Sequence, residues 1–426
     1  MTTRTTPGFG PCRGCHAPLR HSLVDLGLQP LADDFPTAGE LAAGEESFPL
    51  HVLVCDQCWL VQVRPFEGDA RILAEHTHAA SSWSDTLVAH AKAWVAEMLE
   101  RCPLPGRTPA SPSARVPFVV DMASNDGYLL ANLADRGIDV LGFEHAPSNV
   151  EAARARGVTT EQTQFGLTAA RKLAAEGRRA DLLIGNHSLA NAGDLGEMAE
   201  AMKTALAPGG RIALEFHHVR ELVAEAQFDV ISHAHCLYLS LLSLEPALTK
   251  AGLVLIDAEM VAIHGGSVRA YAAHAEEQPP VGPGVKAVLE AERAAGLDSL
   301  VTYESFGSGV EQIRDELVAF LERVRADGSS IAGYGAPSKG NTLLNSARVT
   351  PDLLPWTVDR SPAKHGRFMA GSHIPIHAPE RIFEARPDYV LILPWSLAEE
   401  ITSQLAEVRA WGGRFVTAFP RLTIWS

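Results

Sequence analysis

Nowhere does the 426-residue sequence hold the roughly eighteen consecutive apolar residues that a membrane-spanning helix needs. Its first ten residues, Met1 to Gly10, are polar and lack the apolar stretch of a signal peptide. No run of lysine and arginine marks a basic groove, and a formal net charge of -15 repels a phosphate backbone. Neither membrane insertion nor non-specific nucleic-acid binding is expected, and the cytoplasm is the expected compartment. Cysteine is scarce, six in all, so the chain is not expected to rest on a disulfide framework. What is present is ordinary for a folded protein: 46% of residues are hydrophobic and 20% charged. A chain of this length is expected to form two or three domains.

Four of the six cysteines fall into two close pairs, Cys12-x-x-Cys15 and Cys55-x-x-Cys58. A CxxC turn lets two thiolates face one point, and two such turns supply four sulfurs in a tetrahedron. A redox CxxC would open a helix in a βαβ unit, and neither pair does. The expectation is a structural zinc ion with no open coordination position, an iron–sulfur site being the alternative. Cys102 and Cys236 are left over and read as small buried hydrophobes.

Along the chain, a cysteine-paired, loop-rich start gives way to a helical pattern from Ser84 to Cys102, where Leu87, Ala91, Trp94, Val95 and Met98 recur at helix spacing. Pro103 to Pro117 reads as an exposed connection. Strands follow at Val116–Met122, Val140–Phe143, Leu182–Ile184 and Arg211–Phe216, with helices at Tyr128–Arg136 and Val150–Arg156 and a turn at Pro208-Gly209-Gly210. A second alternation starts near Ser330, with strands at Ser330–Tyr334, Trp356–Asp359, Tyr389–Leu393 and Arg414–Ala418 and helices at Asn341–Ser346 and Leu397–Ala410. Strands alternating with helices predict parallel sheets, so the fold class is α/β: two doubly wound units behind a small metal module.

The turn after the strand Val116–Val120 reads Asp121-Met-Ala-Ser-Asn-Asp-Gly127. Its small residues let the backbone approach a ligand, and Asn125 and Asp126 offer side-chain contacts. Glu144, ending the next strand, can accept two hydrogen bonds from ribose hydroxyls, the logic shared by dinucleotide and S-adenosylmethionine sites. The three-glycine fingerprint is absent, which disfavours a pyrophosphate, and methyl donors carry none.

Asp121 to Leu129 resembles the E-x-G-S-N-D-G-Y-L segment of the sugar C-methyltransferases. Leu26-Gly-Leu-Gln-Pro-Leu-Ala-Asp-Asp-Phe35, Gln227-Phe-Asp229, Ile263-His-Gly-Gly-Ser-Val-Arg269 and Gly333-Tyr-Gly-Ala-Pro-Ser-Lys-Gly-Asn-Thr-Leu-Leu-Asn345 are similar to that family too. So are Val358-Asp-Arg360, His373-Ile-Pro-Ile376 and Leu393-Pro-Trp395, and the resemblance runs nearly end to end. It implies a zinc-binding module over residues 1–75, a Rossmann-like S-adenosylmethionine-dependent methyltransferase domain over 76–300, and a C-terminal Rossmann-like substrate-binding domain over 301–426. It also implies a reaction. A ring ketone acidifies the neighbouring C–H of a nucleotide-linked 4-keto deoxysugar, a base removes the proton, and the carbon accepts a methyl group. The implied cofactors are S-adenosylmethionine and structural zinc, and the partner is this small-molecule substrate; oligomeric state stays open. Ala123, Ser124, Asn125, Asp126, Glu144, Asn186 and His187 are the expected donor-site residues.

The sugar-facing positions depart from the family. Its Tyr-His-Glu-His loop stands here as Ser232-His233-Ala234-His235, its Tyr-x-Tyr as His76-Thr-His78, and Asn191 occupies the place of a histidine. The Pro-Tyr expected after Glu215 is replaced, since Phe216-His217-His218 stands there. His235 is the expected base, with His233 and Asn191 beside it as catalytic candidates. Without the loop carboxylate, His233, His187 or an ordered water must orient or replace that base. His76, His78, Ser232, Tyr238, Lys339 and Asn341 are the expected acceptor-side residues. Two alternatives stand beside this reading: a relative repurposed for a non-sugar intermediate, and a non-catalytic subunit that keeps the donor pocket.

Simpler readings apply elsewhere. His217, His218, His233 and His235 lack a carboxylate companion and do not point to a second metal. His90, His274 and His365 are expected at the surface. Glu215 is either catalytic or loop-stabilising, and Arg269 is expected to anchor the fold at a tight turn. Gly333-x-Gly335 with Lys339 and Asp359 mimics a nicotinamide-binding unit, but the third glycine is misplaced, and Lys339 near a helix start suits a diphosphate instead.

Overall fold

Runs of four to eight consecutive buried residues cannot lie on a half-wet surface, so they assemble into sheets covered on both faces. The computed structural model describes residues 9–66, 80–104 and 116–425. His76 and His78 therefore lie outside the described residues. Chain contacts divide it into two compact units, one drawn from 1–21, 53–220 and 236–300, the other from 22–52, 221–235 and 301–426.

The first unit is built on seven strands: β1 Phe118–Asp121, β2 Asp139–Glu144, β3 Thr160–Gln162, β4 Ala180–Asn186, β5 Leu206–His217, β6 Leu253–Val261 and β7 Ser267–His274. Their order is β3-β2-β1-β4-β5-β7-β6. β1 to β5 run parallel, and β7 lies antiparallel between β5 and β6. Strand order reverses between β1 and β4, which opens a crevice at their carboxyl ends. Trp94 and Met98 from the helix Asp85–Arg101 pack with Leu129, Leu133, Val119, Val140 and Leu182 in one core cluster. Pro208-Gly209-Gly210 does turn the chain, but as a bulge inside β5: Ala180 pairs with Leu206 and Leu182 already with Arg211.

In the second unit the order is β10-β9-β8-β11-β12-β13, where β8 is Ile331–Tyr334, β9 Thr357–Val358, β10 Ile376–His377, β11 Tyr389–Ile392, β12 Arg414–Thr417 and β13 Thr423–Trp425. All pairs are parallel except β12 with β13. A second reversal thus falls between β8 and β11. Ala332, Val358, Val390, Ile392, Ile401 and Phe415 form this core.

Two expectations need correction. Tyr128–Arg136 forms α-helix only over Ala131–Ala134, because the positive φ of Gly127 (78°) starts the segment as a turn and mixed short-range bonds follow. His90, His274 and His365 are not exposed, and each ring meets a protein acceptor. No helix among the described residues is long and apolar enough to cross a membrane.

Candidate active site

The metal module shows why four cysteines suffice. In each knuckle the amide two residues on donates to the first sulfur, Gly14 N to Cys12 Sγ at 3.3 Å and Gln57 N to Cys55 Sγ at 3.4 Å. In each, the residue after the second cysteine turns left-handed, His16 at φ 63° and Trp59 at φ 60°, and donates its amide to the first cysteine's carbonyl. The two turns are copies of one geometry. All four Sγ atoms lie within 4.8 Å of one another, with Cys12–Cys58 and Cys15–Cys55 at 3.6 Å. Tetrahedral zinc with sulfur ligands sets the sulfur separation at about 3.8 Å, so the cluster fits the ion. Gln62 adds an outer contact, donating Nε2 to Cys12 Sγ at 3.1 Å while its Oε1 accepts the Arg13 amide. Among the described residues no other group of histidine, cysteine and carboxylate side chains is gathered for a metal. Contrary to expectation, His218 does have a carboxylate companion, the buried Glu292 at 3.0 Å, which also holds the amides of Leu241 and Leu242.

The expected donor residues lie at the carboxyl ends of β2 and β4 and in the turn after β1. Asn125 turns left-handed (φ 50°), and its Oδ1 accepts the Ser81 amide. Asp126 is buried, with Arg156 NH1 2.9 Å from its Oδ2. Ser124 lies so close to β2 that a Cβ on Gly142 would stand 2.2 Å from its Oγ. Glu144 is buried at the end of β2 and accepts the Ala146 amide at 2.8 Å. Asp121, fully enclosed at the end of β1, has its pKa pushed up to about 7 by burial and by the nearby Glu144 charge, against the pull of the Ala123 amide. Asn186 ends β4 and donates to Tyr128 Oη at 2.7 Å. Asn186 Oδ1 and Asp126 Oδ1 are buried acceptors with no hydrogen-bond partner among the described residues. Acidic strand ends, a tight turn and unspent acceptors fit a methyl donor with ribose hydroxyls and an amino group.

Beside the crevice lies a charged group that sequence reasoning only half saw. Glu215 of β5 is buried and holds His90 Nε2 at 2.8 Å and Arg269 Nε at 2.7 Å. His187 Nε2 lies 3.7 Å away. Burial alone raises the pKa of Glu215, but the facing His187 and His90 hold it well below the ordinary carboxylate range. Arg269 also reaches Glu97, and so anchors the fold as expected. The overlooked signal was a second stripe on the helix Asp85–Arg101: His90, Trp94, Glu97 and Arg101 recur at three- and four-residue spacing and face the strands.

The remaining candidates are distributed over both units. In the first, Asn191 closes the short turn Ser188–Asn191, and Tyr238 is buried opposite Val61. In the second, Ser232 Oγ accepts the His235 amide at 3.2 Å, and His235 is half-buried. His233 is buried, its Nε2 3.2 Å from the Phe48 carbonyl and its ring edge-on to Phe48. Asn341 is buried and donates to the Ala32 carbonyl at 2.6 Å. Lys339 lies over the Trp395 ring at the β8–β11 reversal, its pKa lowered by burial although Asp229 opposes the shift.

Sequence comparison finds three family matches along the chain. Residues 12–72 match a zinc binding domain, 89–258 a methyltransferase domain and 262–420 the C-methyltransferase C-terminal domain. The sheet, its crevice and the four-sulfur cluster make the protein a zinc-binding, S-adenosylmethionine-dependent methyltransferase. C-methyltransferase NovU from Streptomyces niveus is 33% identical over 410 residues, spanning 96% of this chain and 95% of that protein. The chain belongs to the C-methyltransferase family. Among solved structures, the glycopeptide N-methyltransferase MtfA with S-adenosylmethionine is 17% identical, with 47% of this chain and 99% of that chain covered and a TM-score of 0.31. An S-adenosylmethionine-dependent methyltransferase from Clostridium acetobutylicum is 11% identical, covering 44% and 92%, with a TM-score of 0.34.

Proposed function

We propose that the protein methylates a carbon next to a ketone in a nucleotide-linked 4-keto deoxysugar, in the cytoplasm, as a step of natural-product biosynthesis. The observation that carries this reading is the kinship with a C-methyltransferase along 96% of the chain. The sugar itself is supported by the motifs from Gly333 to Asn345 and from Leu393 to Trp395. We assign residues 1–75 to zinc, 76–300 to the methyl donor and 301–426 to the acceptor.

Bound S-adenosylmethionine supplies an electrophilic methyl group on a sulfonium. Glu144 is suited to the ribose, while Ala123, Ser124, Asn125, Asp126, Asn186 and His187 line the remainder of the donor site. A base must remove the acceptor proton. His235 is the candidate carried by the resemblance, with His233 and Asn191 as its companions. His76, His78, Ser232, Tyr238, Lys339 and Asn341 are assigned to the acceptor, Lys339 as the cation for a diphosphate.

A second reading, an acceptor other than a sugar, is favoured by Ser232 and Ala234, which remove a phenol and a carboxylate from the loop. Incubating the zinc-loaded protein with methyl-labelled donor and nucleotide-linked 4-keto deoxysugars separates the two. Label on a ring carbon is the expected result. Donor binding without transfer to any keto sugar would remove the sugar reading and leave the second.

A further inference from the structure

We infer that His187, backed by Glu215, and not His235, is the general base of this methyltransferase; this rests on the proposed abstraction of a proton beside a ketone. His187 directly follows β4 at the strand-order reversal, where a ligand of an open α/β sheet lies. Its backbone is left-handed (φ 54°), and its amide donates to the Glu215 carbonyl at 2.7 Å. That strained turn keeps the ring from running on with the strand. The ring stands edge-on to His264 at 4.7 Å, itself left-handed at φ 60°. Two uncommon backbone conformations therefore fix one imidazole.

Its two nitrogens face different surroundings. Nε2 is buried, 3.7 Å from Glu215 Oε1, too far for a hydrogen bond and close enough for a charge pair. The side chain keeps 26% exposure, and with Nε2 set against Glu215 the proposal assigns the transferred proton to Nδ1. Glu215 is prepared for a positive ring. It is buried and ionised, fixed by Arg269 Nε and His90 Nε2, with Glu97 holding the other side of Arg269. Glu215, His90 and Arg269 thus act as positioning residues.

The step balances within the chain. The C–H bond beside the ketone breaks, its proton moves to Nδ1, and the bonding pair passes into the enolate. The new imidazolium carries its Nε2–H toward Glu215, whose charge opposes the ring's, and the proton later leaves to solvent. No oxidant or further reactant is needed. A positioned general base is worth about 100- to 10,000-fold in rate.

The test follows exchange of the acceptor's α-proton in deuterated water by NMR, using a nucleotide-linked 4-keto-6-deoxyhexose and the zinc-loaded protein with S-adenosylhomocysteine. His187→Ala should lose at least about 100-fold in exchange rate and regain part of it with added imidazole. Glu215→Gln should lower kcat about tenfold or more and leave KM unchanged. Retained exchange in His187→Ala alongside its loss in His235→Ala would give the role to His235 and overturn the proposal. Should wild type exchange nothing, the acceptor reading falls, and peptide-mapped reaction with diethyl pyrocarbonate decides for His187. An Nδ1 that an acceptor can reach is labelled in the S-adenosylhomocysteine complex; an unlabelled His187 overturns the proposal.

Discussion

Arg269 and Glu215 are direct cross-strand partners on β7 and β5, and their side chains meet through Nε and Oε2 at 2.7 Å. Both are buried, and the guanidinium also lies over the Trp94 ring. Taking away one partner leaves the other as a charge in the core. Arg269→Met should therefore cost about 3–5 kcal/mol in urea unfolding. The double variant Arg269→Met with Glu215→Leu should lose less than the single one, since no charge is stranded. Equal losses would mean that packing, and not the ion pair, dominates there.

How much of this was legible beforehand depended on distance along the chain. The two CxxC pairs carry their own geometry, and the strands at Val119, Val140, Leu182 and Ile331 announce themselves as short apolar runs. The helix Asp85–Arg101 was readable to within a residue or two from its apolar period. The ion-pair group was not: His90 and Glu215 are 125 positions apart, and nothing local in either marks the other. The ribbon of β6 and β7 escaped for a different reason. Every residue of β7 is buried, so it lacks the alternation that distinguishes a strand, and β6 is interrupted by a register shift between Leu255 and Asp257. The donor-site candidates could be named from sequence because turn and strand end lie close together along the chain. The acceptor-side candidates rest on resemblance alone, and the chain departs from the family most at those positions.

Gln62 should tune the metal without ligating it. Its amide donates to Cys12 Sγ and stabilises negative charge on that sulfur. Gln62→Leu is expected to weaken zinc binding about 10- to 100-fold in chelator competition, with the fold retained when zinc is saturating. Cys12→Ser should release the ion outright and lower the melting temperature further. Unchanged zinc affinity in Gln62→Leu would show that the contact is incidental.

Asp121 gives stability a pH dependence of definite sign. Its folded pKa, about 7, lies above the ordinary value of 3.8, so the native state binds a proton that the unfolded chain releases. Below about pH 4 both states are protonated and the contribution is fully present. It is lost as pH rises from there through 7. Asp121→Asn should flatten that fall by an amount on the order of a few kcal/mol, read from urea midpoints between pH 5 and 8. A slope identical to that of wild type would show that Asp121 is already ionised at pH 5.

Gly127 occupies φ 78°, and a Cβ there would meet Ala153 Cα and Cβ at 3.0 Å. Both the backbone conformation and the contact oppose a side chain. Gly127→Ala should cost about 1–2 kcal/mol from the left-handed backbone alone, with the contact adding to it. Because the turn also positions Asn125 and Asp126, affinity for S-adenosylhomocysteine should fall together with stability. Calorimetry and thermal melts on one preparation would separate the two, and a loss of stability at full affinity would exclude the turn from donor binding.

Glu144 permits the most direct test of the donor site. Its carboxylate is buried, one oxygen accepts the Ala146 amide, and the arrangement leaves further acceptor capacity at the end of β2. A carboxylate accepting from ribose hydroxyls contributes about 1.5–3 kcal/mol as a charged hydrogen bond. Glu144→Gln should thus weaken S-adenosylhomocysteine binding roughly 10- to 100-fold by calorimetry. Adenosine should suffer by a similar factor, because it carries the same hydroxyls, and 2′,3′-dideoxyadenosine should bind wild type and variant alike. If the variant instead discriminates against the dideoxy nucleoside as strongly as wild type does, the ribose is held by another residue and Glu144 serves only to cap the Ala146 turn.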